Sequence, residues 1–539
     1  MIRYFWIFCP VILVFALPSL STTAELESFS SLDGQGPPKT FDALWAGYDP
    51  ATEPLETEVL HEWEENGVVL RVVQFRIGIF KGKKATLAGV YGFPKGQENL
   101  PGLVQVHGGG QYADYKAPLY NAKRGYATLS IAWAGRISAP KYAVNSTGVQ
   151  RYWAGETDHP DYKRTTDWGA VDGYHAPRRS KIGEFDSDQP GPWTLDAVDS
   201  PRNSGWFLCT VAARRALTFL EQQPEVDAER LGVYGHSMGG KITVMTTAAD
   251  KRVKAAAPFC GGISHRDSKH PLYQATLGDD VSLKQIACPI IFLSPSNDFH
   301  GRIDDLPSAV KEIQSKDWRV TCSPHLNHRD TGEYAATAML WFDQHLKQAF
   351  SFPKSPETTL EINPGDGVPA LRLKADTSLP IEKVEIYYTQ QGKADGEPED
   401  FHNTRHRFWH YAKAHPTEGG YVSSLPLSSI GRPLWVYANV TYRLPEPVAG
   451  AGYYYAPYET RSFTVSSLVH KVEPGALADA GCRVVLEPTP LIEVFHGDWR
   501  KQWFSHAAKG WAMRTNKLNH PLWKPSPGAL LVLQARSAK

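Results

Sequence analysis

The hydrophobic positions change their period along the chain. Two early runs, "VVLRVVQFRIGIF" and "ATLAGVYGFP", are rich in β-branched and aromatic residues and predict a hairpin. "LPGLVQV" and "GYATLSIAWAG" read as short buried strands. From Trp206 to Leu220 the chain is apolar over helical length, with Ser204 placed as N-cap and Pro224 beyond the end. "LGVYGH", "VKAAAPF", "PIIFL" and "WRVTC" follow as further strands. The last helix carries Met339, Phe342, Leu346 and Phe350 at helical spacing, and Asp330 and Glu333 are placed as a capping box. Strands alternating with helices predict a mostly parallel sheet covered on both faces, over about residues 50–352.

Beyond the Pro-containing stretch "SFPKSPETTLEINPGDG", read as a linker, the period falls to two. "VPALRLKAD", "IEKVEIYYTQ", "PLWVYANVTYRL" and "ETRSFTV" predict an antiparallel, Ig-like β-sandwich over 356–466 with no long helix. "CRVVLEP" and "GALLVLQARS" predict a β-rich extension over 467–539. Between Arg136 and Asn203 no regular element is predicted. This insertion leaves the C-terminal end of a strand, where open α/β sheets gather their chemistry. It is therefore expected either to cover the active face, with Trp153, Trp168 and Trp193 touching substrate, or to pack on itself.

Charge removes one class of partner. Lys+Arg and Asp+Glu both number 57, so no basic surface excess exists for a nucleic acid. The N-terminus has a cationic Arg3, an apolar run from Phe5 to Leu17, and Thr22 and Ala24 at signal-peptidase spacing. That pattern predicts a signal peptide over 1–24, a secreted or periplasmic mature chain, and no membrane association in the mature form. Five cysteines remain after Cys9, with no C-x-x-C pair. At least one thiol is then free or pairs between chains.

The candidate chemistry sits at strand ends. In "LGVYGHSMGG" a lone Ser237 stands between Gly235 and Gly239 where a strand becomes a helix, the context in which G-x-S-x-G exposes a nucleophile. "VHGGG" ends an earlier strand, and its bare backbone makes Gly109 and Gly110, with the Met238 amide, candidate oxyanion donors. Asp298 follows the strand "PIIFL" and is preferred over Asp304 and Asp305 as the acid. His328 is preferred over His325 as the base. His265, Asp267 and His270 read as a polar loop rather than metal ligands, and the histidines of "FHNTRHRFWH" show no ligand spacing, so no metal is expected. Asn145-Ser146-Thr147 and Asn439-Val440-Thr441 are glycosylation sequons.

With the elbow Gly235–Gly240 and the loop His107–Gly110 on one chain, residues 60–350 resemble the α/β-hydrolase superfamily. Within it they resemble the dienelactone-hydrolase and acetylxylan-esterase-like branch, which also takes in prolyl-oligopeptidase-type catalytic domains. The resemblance implies an α/β fold and a serine hydrolase that needs no cofactor. Dienelactone hydrolase proper has a cysteine where this chain has Ser237, and no β-propeller precedes the domain. The expected function is an exported carboxylic ester hydrolase acting on acylated carbohydrate, as a small molecule or polysaccharide. A serine peptidase and an inactive glycan-binding protein are the alternatives.

Overall fold

The structure is a computed structural model that describes residues 27–32, 34–167, 185–191, 194–505 and 512–534. The expected signal peptide, Trp168 and Trp193 lie outside the described residues.

Among the described residues, nine strands form one sheet. They are β1 (Glu58–Glu65), β2 (Val68–Phe80), β3 (Lys83–Pro94), β4 (Leu100–Val106), β5 (Ala127–Ile131), β6 (Val226–His236), β7 (Val253–Phe259), β8 (Ile290–Leu293) and β9 (Trp318–Thr321). Their order is β1-β2-β3-β5-β4-β6-β7-β8-β9. The first three strands pair antiparallel, β3 pairs antiparallel with β5, and every later pair is parallel. Helices α1 (Lys116–Lys123), α2 (Ser146–Ala154), α3 (Gly205–Glu221), α4 (Met238–Ala249) and α5 (Gly332–Lys347) connect or flank them.

Alternation along the strands assigns the two faces. Val104, Val106, Leu129 and Val233 share one buried cluster with Phe207 and Val211 of α3 and Ile242 of α4. Their neighbours Leu103 and Tyr234 join Ala255, Leu293 and the α5 residues Trp341 and Phe342 in a second cluster. Burial on both faces is why these strands read as continuous apolar runs. This is the α/β-hydrolase arrangement.

Several local expectations meet a competitor. Ser204 does cap α3, its side chain accepting from the Trp206 amide. Asp330 does not cap α5: Thr331 takes the N-cap position, and the Asp330 carboxyl instead accepts the Ser323 hydroxyl at 2.6 Å. The insertion is not wholly irregular. It contains α2, whose N-cap Asn145 accepts from the Gly148 amide and whose C-cap Gly155 is left-handed. The same asparagine reads as a sequon, which hid the cap.

The second region has two antiparallel sheets. Strands β10 (Glu357–Glu361), β11 (Ala370–Lys374), β12 (Ile381–Thr389), β13 (His410–Lys413), β14 (His415–Thr417), β15 (Gly420–Ser424), β16 (Leu434–Ala451), β17 (Pro457–Ser466) and β18 (His470–Val472) build it. One sheet runs β10-β11-β15-β14; the other runs β13-β12-β16-β17, with β18 beside β16. Its one α-helix before β18, α6 (Phe401–His406), has six residues. The expected linker already contains β10. Leu371, Val436, Val440 and Phe463 share a core with α5, so the β region is packed onto the parallel sheet. Across that junction the Cys322 amide donates to Ser466 Oγ at 2.8 Å, and Asn439 Nδ2 donates to the Cys322 carbonyl at 3.1 Å.

The tail departs from the β-rich expectation. After β18 the described residues hold a short helix, Pro474–Asp479, and 3₁₀ turns, with strand pairing limited to the bridges Leu427–Val484 and Phe504–Arg514. The apolar run Leu530–Leu533 finds no partner strand and stays exposed. All five described cysteines are free thiols. Among the described residues, no helix is long and apolar enough to cross a membrane.

Candidate active site

β6 ends at His236 and α4 begins at Met238, leaving Ser237 at the turn with φ 60° and ψ −119°. A left-handed φ is costly for a serine and persists only where the surroundings enforce it. Here the glycines do so. A Cβ on Gly235 or Gly239 would run into the Val106 carbonyl oxygen, and one on Gly240 into that of Phe259. The Ser237 amide donates to the same Phe259 carbonyl at 2.8 Å.

The side chains of three strand ends converge. Ser237 Oγ lies 2.7 Å from His328 Nε2, and His328 Nδ1 lies 2.8 Å from Asp298 Oδ2. The carboxylate can only accept, so Nδ1 carries the proton and Nε2 is left to receive the serine hydroxyl hydrogen. The other oxygen of Asp298 accepts from the His300 amide at 2.6 Å and the Gly301 amide at 2.5 Å. Burial opposes ionisation of Asp298. The His328 ring, its hydrogen bond and the Gly301 amide outweigh it and hold the carboxyl down at about 2. Asp304 and Asp305 are engaged elsewhere, with Lys393 and Arg302.

Neighbours fix this line of groups. His236 Nε2 donates to the His328 carbonyl at 3.0 Å. Burial, reinforced by the nearby His328, pushes the His236 imidazole down to about 3, so it is a neutral strut. On the other side Asn297 Nδ2 donates to the Arg407 carbonyl and Asn297 Oδ1 accepts from Trp409 Nε1, both at 2.8 Å. The β region thereby grips the residue beside Asp298. Below α4, Lys241 and Asp279 form a fully buried ion pair. His325 faces away: its Nε2 donates to the Lys501 carbonyl at 2.9 Å, and its ring packs near Tyr387, Phe408 and Phe504.

A cavity of about 530 Å³ opens above Ser237. Met238 and Gly109 border it, whereas Gly110, with φ 72°, shapes the turn behind them. That turn is closed by the Gly108 amide on Gln111 Oε1 at 3.0 Å and the Gln111 amide on the Gly108 carbonyl at 3.2 Å. Phe299, Phe401, Tyr453 and Tyr454 supply aromatic walls. Trp153 does not reach the cavity. It packs from α2 against the outer cluster of Val72, Ile137 and Val149, because the apolar face of this short helix turns toward the sheet's antiparallel edge. From the insertion, Asp186 does line the cavity and pairs with His265 at 3.3 Å, while His270 meets Asp188 at 3.1 Å. The polar loop "HRDSKH" thus clamps the end of the insertion. Phe401, Tyr453 and Tyr454 were not foreseen from sequence. The only signal was three consecutive tyrosines between two strand-like runs.

Among the described residues, His236, Cys260 and His328 bring one ligating atom each within 4.8 Å of one another. The two imidazoles already serve the contacts above. The Cys260 thiol is pushed well up by burial and by Asp298, with which it hydrogen-bonds.

Residues 198–331 match the model of the dienelactone hydrolase family, a segment that contains Ser237, Asp298 and His328. No curated protein matches the chain. Among solved structures, an acetyl xylan esterase from Paenibacillus sp. R4 is 17% identical, covering 57% of this chain and 97% of its own, with a TM-score of 0.42. Acetyl xylan esterase 1 from Thermoanaerobacterium sp. JW/SL YS485 is 15% identical, with coverage of 59% and 95% and a TM-score of 0.42. An S-formylglutathione hydrolase from Agrobacterium tumefaciens is 12% identical, with coverage of 54% and 98% and a TM-score of 0.35.

Proposed function

We propose that this chain is a serine esterase, with Ser237 as nucleophile, His328 as general base and Asp298 as the acid that orients it. The observation that carries the reading is the unbroken hydrogen-bonded line Ser237–His328–Asp298, at 2.7 and 2.8 Å, opening on a cavity. Ser237 Oγ attacks the ester carbonyl carbon as His328 Nε2 takes its proton, and Asp298 stabilises the resulting imidazolium. The carbonyl oxygen gains charge beside the Met238 and Gly109 amides, at a helix N-terminus that favours an anion. Collapse expels the alcohol, which takes the proton from His328. Water, deprotonated by the same ring, then releases the acid from the acyl-enzyme.

The substrate we propose is an ester of a carbohydrate or a related ring-bearing alcohol, since Phe299, Phe401, Tyr453 and Tyr454 stand in the cavity wall. The proposed setting is outside the cytoplasm, supported by the signal-like N-terminus. Sequencing the N-terminus of protein recovered from the exporting host's medium or periplasm should find Glu25 first.

The decisive experiment is turnover of p-nitrophenyl acetate and acetylated xylan by the parent and by Ser237→Ala, with fluorophosphonate labelling beside it. The parent should hydrolyse esters and be labelled. Ser237→Ala should lose both, with kcat down by about 10⁶ and an unchanged circular dichroism spectrum. Cleavage of aminoacyl anilides but not esters would make the chain a peptidase. A parent that neither labels nor turns over would make it a binding protein.

A further inference from the structure

The turn joining β16 to β17 is built from Tyr453, Tyr454 and Tyr455, and it reaches out of the β region into the active site. Its backbone is unusual. Tyr454 (φ 49°, ψ 35°) and Tyr455 (φ 57°) are successive left-handed, non-glycine residues. Such strain marks a place where the fold enforces a conformation, and it clusters at functional sites.

Each of the three side chains meets a different part of the site. The Tyr453 ring stands edge-on to His236, centroids 4.9 Å apart, and the Arg329 guanidinium lies 5.8 Å from its centre. Tyr454 is almost half exposed and lines the cavity over Ser237. Tyr455 is buried, and its hydroxyl donates to the Tyr112 carbonyl at 2.6 Å. The same hydroxyl meets the side chain of Gln105 on β4. Tyr112 lies two residues past Gly110, beyond Gln111, and the Tyr112 and Tyr455 rings lie 5.6 Å apart.

The glycine loop needs such a brace. Three adjacent glycines have no side chains with which to hold their own backbone. Within the loop, Gly108 is held by two hydrogen bonds with Gln111, and its carbonyl also lies 2.8 Å from His107 Nδ1. Oxyanion donors act only when fixed before the charge develops. The Tyr455 hydroxyl fastens the loop's far end from a region more than three hundred residues later in sequence.

We infer that the tyrosine turn of the β region is a working part of the active site: Tyr455 is a positioning residue for the glycine loop, and Tyr454 is the wall that selects ring-bearing esters. The inference rests on the esterase reading for Tyr454, whereas the brace by Tyr455 is open to test without turnover.

The experiment uses the full chain with Tyr455→Phe, Tyr454→Ala and Tyr454→Phe. Tyr455→Phe keeps the ring and removes the hydroxyl. It should lower kcat on ethyl acetate and on acetylated xylo-oligosaccharide alike, by about tenfold, with KM little changed, as expected for loss of a transition-state contact. Amide hydrogen exchange over residues 107–112 should quicken by about tenfold, since one net hydrogen bond is lost. Unchanged exchange together with unchanged kcat overturns the brace. For Tyr454→Ala, the ratio of kcat/KM for acetylated xylo-oligosaccharide over ethyl acetate should fall by about tenfold, and Tyr454→Phe should restore most of it. An unchanged ratio overturns the wall. If the parent hydrolyses neither ester, the esterase reading fails and the wall falls with it, while the exchange measurement still decides the brace.

Discussion

Two strained turns border the same cavity, and they are held by different physics. At the elbow, Ser237 takes φ 60° because the backbone packs directly on backbone: Gly235, Gly239 and Gly240 each lie against a neighbouring strand's carbonyl. At the tyrosine turn, Tyr454 and Tyr455 take similar φ values with bulky side chains, held by a hydroxyl hydrogen bond and ring contacts. The first turn uses the absence of side chains, and the second uses their presence. A turn of the first kind is intolerant of any added atom. A turn of the second kind can lose one interaction and remain folded, which makes it the place where specificity can be tuned.

The sharpest contrast comes from two histidines of the loop between β9 and α5, both with left-handed φ, 64° for His325 and 55° for His328. His328 faces the elbow and His325 faces the β region. His328→Ala should lower kcat by about 10⁴ to 10⁶ with the fold retained. His325→Ala should keep kcat within about threefold while costing roughly 2–3 kcal/mol of stability, because it empties a packed site. Urea melts and steady-state rates on both variants check this. A His325→Ala variant that is stable but inactive would reverse the assignment of the base.

The glycines test the difference in packing directly. Gly239→Ala should cost about 3 kcal/mol or more, because its Cβ meets the Val106 and His107 carbonyl oxygens, which are backbone and cannot rotate away. Gly452→Ala, at the start of the tyrosine turn, has φ −86°, and its Cβ would find Tyr458 Cδ1 at 3.3 Å and the Ala456 oxygen at 3.5 Å. It should change stability by no more than about 0.5–1 kcal/mol. Equal losses at the two positions would remove the distinction drawn between the turns.

The same contrast explains what was legible in the sequence. The elbow could be read because glycine is the only residue that permits the close approach of β6, α4 and β4, so geometry leaves a mark at fixed offsets from Ser237. Asp298 and His328 could be placed because α/β sheets gather loops at the strands' C-terminal ends. The period-two pattern likewise announced the two antiparallel sheets. Nothing local announced that Tyr453–Tyr455 would meet His236 and Tyr112, because that contact depends on how the β region packs on α5, a long-range outcome of the shared core. Trp153 was misplaced for the related reason that an aromatic in an insertion marks an apolar face without saying which surface it covers. In the tail, the described apolar run Leu530–Leu533 has strand composition but pairs with no strand among the described residues, and composition alone does not supply a partner.

Asp330 stands between the two turns. It lines a cavity of about 50 Å³ together with His236, Tyr453, Tyr454 and Tyr455. Its Oδ1 accepts the Ser323 hydroxyl, while Oδ2 is shielded from solvent with no hydrogen-bond partner among the described residues. Burial, with a smaller push from the Asp298 charge, raises its carboxyl to about 7, against the lowering pull of the Ser323 hydroxyl and His328. The sign of the pH effect follows. An acid whose folded value lies above its unfolded one is protonated in the folded chain while already ionised in the unfolded chain. Its contribution is therefore fully present below about pH 4 and is lost as pH rises towards 7, where the folded carboxyl ionises as well. Asp330→Asn keeps a neutral side chain at every pH. The stability of the variant relative to the parent should therefore move in the variant's favour between pH 5 and pH 8, by on the order of 1 kcal/mol once partial solvent screening is allowed for. Urea melts of both proteins at the two pH values measure it. A difference that stays constant from pH 5 to pH 8 would mean that Asp330 is already ionised at pH 5, and that the space between the elbow and the tyrosine turn is open to water rather than sealed by the β region.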